Sequence, residues 1–109
     1  MMDERERRMA LNEAMFRQVN EAVSSISSDF EAGSFEIVCE CGAIECTDRI
    51  PIGNAAYAAL RSEPHRFAVI PGHERPEVEE VIATEDGYHV VEKTSPEARR
   101  LAERTDPNT

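Results

Sequence analysis

No tryptophan occurs among the 109 residues, aromatic side chains make up only 6%, and Lys and Arg number 12 against 22 Asp and Glu. The first two shortages leave a core to be built from Val, Ile, Ala and a few Phe. In a chain this short a metal or disulfides commonly supplement such a core. The third gives a formal charge of −10 and argues against broad nucleic-acid binding and against anionic membrane surfaces, since both are held through cationic clusters. Long apolar runs are also missing, so no segment reads as a membrane span. The opening M-M-D-E-R-E-R-R has no apolar stretch of the secretory kind, which makes a cytoplasmic protein the expectation.

Catalytic signatures are missing too. The sequence contains no H-E-x-x-H, Walker A, G-x-G-x-x-G or G-x-S-x-G, and it lacks the H-x-E and P-C-x-x-C pair of the zinc deaminases. A non-enzymatic protein is therefore expected.

What is present is concentrated. All three cysteines fall in C-E-C-G-A-I-E-C, residues 39 to 46. A disulfide framework would leave one over and suits a different compartment, so metal ligation is the better reading. Cys39 and Cys41 lie two apart, which on an extended backbone sends both sulfurs to one face and Glu40 to the other. Gly42 then permits a tight turn, and residues 43 to 45 bring Cys46 back. Zinc takes four such ligands in a tetrahedron, and three thiolates with one imidazole fill it without an open position.

The fourth ligand is expected to be His73, which follows Pro71-Gly72 at the end of a strand. His65 is the next choice but begins that same strand and so belongs at its other end, while His89 reads as an ordinary strand residue. Glu74 or Glu45 would orient the imidazole. The predicted metal ligands are thus Cys39, Cys41, Cys46 and His73, with zinc as cofactor. Thiolates of this kind can also be oxidised with loss of metal, so a thiol-based redox or zinc-responsive switch is the alternative function. An iron–sulfur cluster is disfavoured by a histidine ligand.

Residues 3 to 27 predict a long helix, rich in strong formers and free of Pro and Gly. Met9, Asn12, Phe16, Val19, Val23, Ile26 and Phe30 recur at steps of three and four, widened by Leu11, Met15 and Ala22. This apolar face is expected to cover the protein's own sheet, leaving Glu13, Arg17 and Glu21 in solvent as spaced ion pairs. A second reading makes the seam a short coiled coil with Asn12 setting register, and hence a surface for a protein partner or a homodimer. Residues 1 to 27 would then be dispensable for folding.

Strands are expected at 35–39, 49–52 (an edge, because of Pro51) and 66–70, followed by a hairpin of 78–84 and 88–93 about Glu85-Asp86-Gly87. Asn54 is the expected cap of a helix over 55–61, with Tyr57 and Leu60 inward. The grouping of Tyr57, Arg61, His65 and Arg66 reads as a solvated face rather than a cationic binding spot. Ser95-Pro96 starts a last short helix through Ala102, and 106–109 is expected to fray.

These stretches resemble a group of small uncharacterised bacterial proteins of actinobacterial type. The pattern is N-E-A-x-F-R-x-V-N-E (Asn12 to Glu21), F-x-I-V-C-E-C-G with a third Cys, Y-x-x-L/V-R-x-x-P-x-x-F (Tyr57 to Phe67), P-G-H-E (Pro71 to Glu74) and V-V-E-K (Val90 to Lys93). The resemblance spans roughly residues 10 to 93 and implies that the three cysteines and the P-G-H histidine belong together, but it implies no activity. The fold class expected is α+β: a long N-terminal helix packed on a small, mostly antiparallel sheet with a metal-clipped loop. Residues 1–95 would form the domain and 96–109 a short C-terminal helix or flexible tail.

Overall fold

The computed structural model describes residues 3–29, 33–43 and 45–107, with side chains from 27 to 29 excepted. The expectations for Phe30 and for residues 108 and 109 lie outside it. The fold is α+β: a long N-terminal helix with small antiparallel sheets and a Cys/His cluster in a loop. None of the helices is long and apolar enough to cross a membrane, among the described residues.

The helix α1 (Glu4–Asp29) has 26 residues, about 39 Å at 1.5 Å per residue, and runs almost the whole 42 Å length of the molecule. Two sheets, rather than one, lie against the helices. Strands β1 (Ser34–Val38) and β2 (Arg49–Gly53) pair antiparallel, with Pro51 opposite Glu36. In a two-stranded ribbon both strands are edges, so the missing N–H of Pro51 is tolerated. The second sheet has the order β3-β5-β4, from β3 (Arg66–Val69), β4 (Glu79–Glu85) and β5 (Tyr88–Lys93). The β4–β5 hairpin turns at Gly87, φ 90°, and its register shifts between Val81 and Ala83. That bulge twists the edge strand.

Helix α2 (Asn54–Arg61) follows β2 directly and buries Tyr57 and Leu60. Gly53, not Asn54, stands at its cap, and without a side-chain hydrogen bond. Asn54 is instead the first helical residue, and its N–H donates to the Gly33 carbonyl at 3.1 Å. Helix α3 (Pro96–Arg104) is capped as expected, Ser95 Oγ accepting from Ala98 N at 3.2 Å.

The orientation of α1 overturns the expectation drawn from its periodicity. Glu13, Arg17 and Asn20 are 1, 1 and 0% exposed, whereas Leu11, Met15, Val19 and Ile26 are 44, 47, 44 and 58% exposed. The polar row faces the protein and the apolar row faces out; Met9, Phe16 and Val23 are half-buried along one boundary. The reason is the polar content of the surface beneath. Arg17 donates to the carbonyls of Pro64 (2.7 Å) and Ala102 (2.8 Å) and to Thr105 Oγ1, and its guanidinium lies over the Phe67 ring at 4.8 Å. Asn20 accepts from Val38 N and donates to Val38 O, both at 2.8 Å, and also to Glu40 at 2.7 Å. Leucines at those places would leave buried donors and acceptors unpaired, at a cost of about 1–3 kcal/mol each. Asn12 is likewise committed inward, donating to Gly42 O at 3.0 Å, and sets no register in an outward seam.

Candidate metal centre

The cluster sits where the two sheets are stitched together. Past β1 the chain stays extended: Cys39 N donates to Asp48 O on the β2 side, and Glu40 N donates to Ala68 O of β3, both at 2.9 Å. Alternation along this backbone sends Cys39 and Cys41 to one side and Glu40 to the other. Gly42 then turns with φ +81°. A Cβ there would lie 2.6 Å from the Met9 carbonyl oxygen and 2.8 Å from Glu13 Cγ, so α1 packs directly on the turn and only glycine fits. Cys46 returns through a turn closed by its N–H on Ala43 O at 3.0 Å.

His73 arrives from β3. Its N–H donates to Ile70 O at 2.9 Å, with Pro71 and Gly72 (φ 96°) between. This is a type II turn, which needs Pro-compatible φ first and positive φ second. The imidazole Nδ1 lies 3.6 Å from Cys39 Sγ and 3.7 Å from Cys46 Sγ. One ligand atom from each of Cys39, Cys41, Cys46 and His73 lies within 4.8 Å of the other three. The four residues predicted as ligands thus lie close enough together to hold one metal ion.

Electrostatics within the cluster show why a cation suits it. Cys41 is pulled down to about 5, first by the Cys39 thiol that donates to it and then, against burial, by the Ala43 N–H and the His73 side chain. Cys39 is pushed up, by that same shared proton and by burial, and Cys46 is pushed up chiefly by burial. Three sulfurs therefore compete to share protons at one place. The Ile70 N–H donates to Cys39 Sγ at 3.2 Å, which steadies charge on that sulfur. Beside the cluster opens a cavity of about 290 Å³, walled by Met9, Ala43, Glu45 and Arg75 together with Cys41, Cys46 and His73.

The other residues singled out in the sequence go elsewhere. His65 is buried at the far end of β3, with Nε2 2.7 Å from Glu103. His89 contacts Glu74 at 3.1 Å, and Glu74 also accepts from Gly72 N. Glu74 is therefore taken and does not orient His73, and Glu45 lines the cavity wall. The acidic group near the imidazole is Asp48, whose Oδ2 lies 3.9 Å from both His73 Nε2 and Cys46 Sγ. It comes from the other side of the loop, where no spacing rule points to it.

The expectation of a solvated face at Tyr57, Arg61, His65 and Arg66 is also corrected. Arg61 is buried and holds both oxygens of Glu40, at 2.5 and 2.6 Å. Tyr57 is buried and donates to Glu21 at 2.8 Å. Glu40 further accepts from Ala68 N and Asn20. Lys93 Nζ stands between Glu13 (2.7 Å) and Glu79 (2.6 Å). Arg17, Arg61 and Lys93 all approach the Phe67 ring, at 4.8 to 6.0 Å from its centroid. Glu40 thus joins the back of the cysteine loop to a buried ionic network. The sequence signal for this network is the polar row Glu13, Arg17, Asn20 at i, i+4, i+7, which marks a face as clearly as the apolar row does.

Comparison with known proteins adds no relative: no family model matches the chain, and neither curated proteins nor solved structures give a match.

Proposed function

We propose that the protein is a zinc-clipped, non-enzymatic interaction module, with Cys39, Cys41, Cys46 and His73 holding one structural zinc ion and the outer face of α1 receiving a protein partner. A tetrahedron with Zn–S near 2.3 Å and Zn–N near 2.0 Å has S···N edges of about 3.5 Å. The two S···N separations of 3.6 and 3.7 Å agree with it. Four protein donors leave no position for a water, and three thiolates with a neutral imidazole give a net −1 that disfavours an activated hydroxide. An ion held by these four residues would cross-link the β1–β2 loop to the end of β3, a structural role.

The observation that carries the interaction reading is the outward apolar row of α1, since contiguous apolar patches of this kind mark association surfaces. Removing residues 1 to 27 would not test it, because the same helix places Glu13, Arg17 and Asn20 in the core. A point change on the outer face does. Zinc should be found at one ion per chain by elemental analysis. Met15→Glu should abolish capture of the partner while zinc content and helicity stay unchanged. A chain without bound zinc, or a Met15→Glu chain that captures as well as the natural one, would remove the corresponding half of the reading.

The exposure of Cys46 supports a second reading, a thiol-based switch. Cys46 is half-exposed beside the cavity, while Cys39 and Cys41 are buried. A peroxide would be attacked by the Cys46 sulfur, breaking the O–O bond and expelling hydroxide to leave a sulfenic acid. Attack by the Cys41 thiolate would then form the S–S bond and expel a second hydroxide. Stoichiometric peroxide should release the zinc to a chromogenic chelator and lower the intact mass by two hydrogens; zinc that stays bound sinks this reading.

A further inference from the structure

We infer that the outer face of α1 receives a second copy of this chain, the two helices docking antiparallel about a two-fold axis at the level of Gln18 and Val19. The inference rests on the reading of α1 as an association surface and names its occupant.

At 100° per residue, Leu11, Met15, Val19, Ala22 and Ile26 occupy an arc of about 80°, in a row about 22 Å long. All five are exposed. The residues bordering this row between positions 11 and 26 are Ala14, Gln18 and Ser25 on one side and Asn12, Phe16 and Val23 on the other, none of them charged. A face without charge is notable in a chain where 31% of residues are charged and the net charge is −10. For a symmetric dimer it is also a requirement, because each group near the axis meets its own copy and any charge there would repel itself.

Reversal about the 18/19 level exchanges four of the five residues of the row among themselves and leaves Val19 at the axis. Antiparallel docking about the 18/19 level sets Leu11 opposite Ile26 and Met15 opposite Ala22, with Val19 beside its own copy at the axis, so the long Met side chain faces the smallest residue of the row. It also carries Arg8 to the last turn of the other helix. That turn has no basic residue of its own, and the end of a helix presents the negative pole of its dipole. A parallel arrangement would instead stack Arg7 and Arg8 on their own copies. A lipid surface fits less well: interfacial helices carry Lys and Arg along the polar face, and here the polar face is buried in the protein.

A row of this length is expected to cover less than the ~800 Å² per partner of a standard interface, which places the dimer among weak, transient associations. Sedimentation equilibrium of the zinc-loaded full chain from 5 to 500 μM should show the mass rising from 12.2 kDa toward twice that value. Val19→Glu, which places two carboxylates at the axis, should weaken association at least tenfold with zinc content and circular dichroism unchanged; Ala22→Arg is the independent second variant. In a mixture of differently labelled copies, isotope-filtered NOEs should connect Leu11 methyls with Ile26 methyls. A chain monomeric at 500 μM, or one that binds anionic vesicles in place of itself, overturns the proposal, as do Leu11–Leu11 contacts, which would mean parallel helices. A monomer whose partner capture is still lost in Met15→Glu would leave α1 as a surface for a different protein, so the two readings fail separately.

Discussion

Two groups of ionisable side chains lie on opposite sides of the segment Cys39-Glu40-Cys41, and they are balanced in different ways. On the inner side Glu13, Glu40 and Glu79 are buried with Arg17, Arg61 and Lys93, so the chain brings its own cations. On the outer side three sulfurs and an imidazole converge, with Arg75 the one Lys or Arg among the described residues of the nearby cavity wall. Each carboxylate of the inner group has a cation of the chain itself within hydrogen-bond distance, although Glu13 Oε1, Arg17 Nε and the Nε and Nη1 of Arg61 are buried without a partner; the outer group gathers donors that a divalent cation would satisfy. Adjacent residues of one extended strand thus serve both, because alternation sends odd and even positions to opposite faces.

The contrast is broken most severely at the outer group. Cys39→Ala, or a strong chelator, should lower stability by on the order of 5–10 kcal/mol, because metal binding of this type is folding free energy. Thermal melting with and without chelator measures it, and a natural chain insensitive to chelation would show the cluster to be complete without metal.

At the inner group the expected loss is smaller. Arg61→Met leaves the Glu40 carboxylate buried without its cation and should cost about 3–5 kcal/mol by urea denaturation. Replacing both, as Glu40→Leu with Arg61→Met, should recover much of that loss if the pair matters mainly by being complete. The hydrogen bonds from Ala68 N and Asn20 to Glu40 set what remains.

The smallest effect comes from the imbalance around Lys93, one ammonium between two carboxylates. Burial pushes Glu13 up to about 7 from its ordinary 4.5, against the pull of Lys93 and with a further push from Glu79, while Arg75 lowers it. A carboxyl raised on folding contributes stability that is present below about 4.5 and is lost as pH rises through about 7. Glu13→Gln imitates the protonated form. It should come closest to the natural chain below about pH 4 and exceed it by up to about 3 kcal/mol at pH 8. Equal stabilities at both pH values would mean that Lys93 alone keeps the carboxylate charged.

Much of the architecture is legible in the residues. Strand alternation, Pro51, the Gly87 turn and Ser95-Pro96 place elements close to where they occur, since each acts through its own backbone. The inward direction of Tyr57 and Leu60 is legible for the same reason. The buried roles of Glu40, Arg61 and Lys93 are not, because each depends on a partner 14 to 80 residues away.

Local sequence alone accounts for the make-up of the Cys/His cluster: three sulfurs in eight residues, two on one side of an extended backbone, and an imidazole delivered by a Pro-Gly turn. These follow from bond geometry over a few residues. Which face of α1 turns inward was decided only by the tertiary structure. Periodicity groups side chains by angle but does not say what they will meet. Here they meet open carbonyls, a glutamate and an aromatic ring, and a polar row satisfies that surface where an apolar one would leave it unpaired.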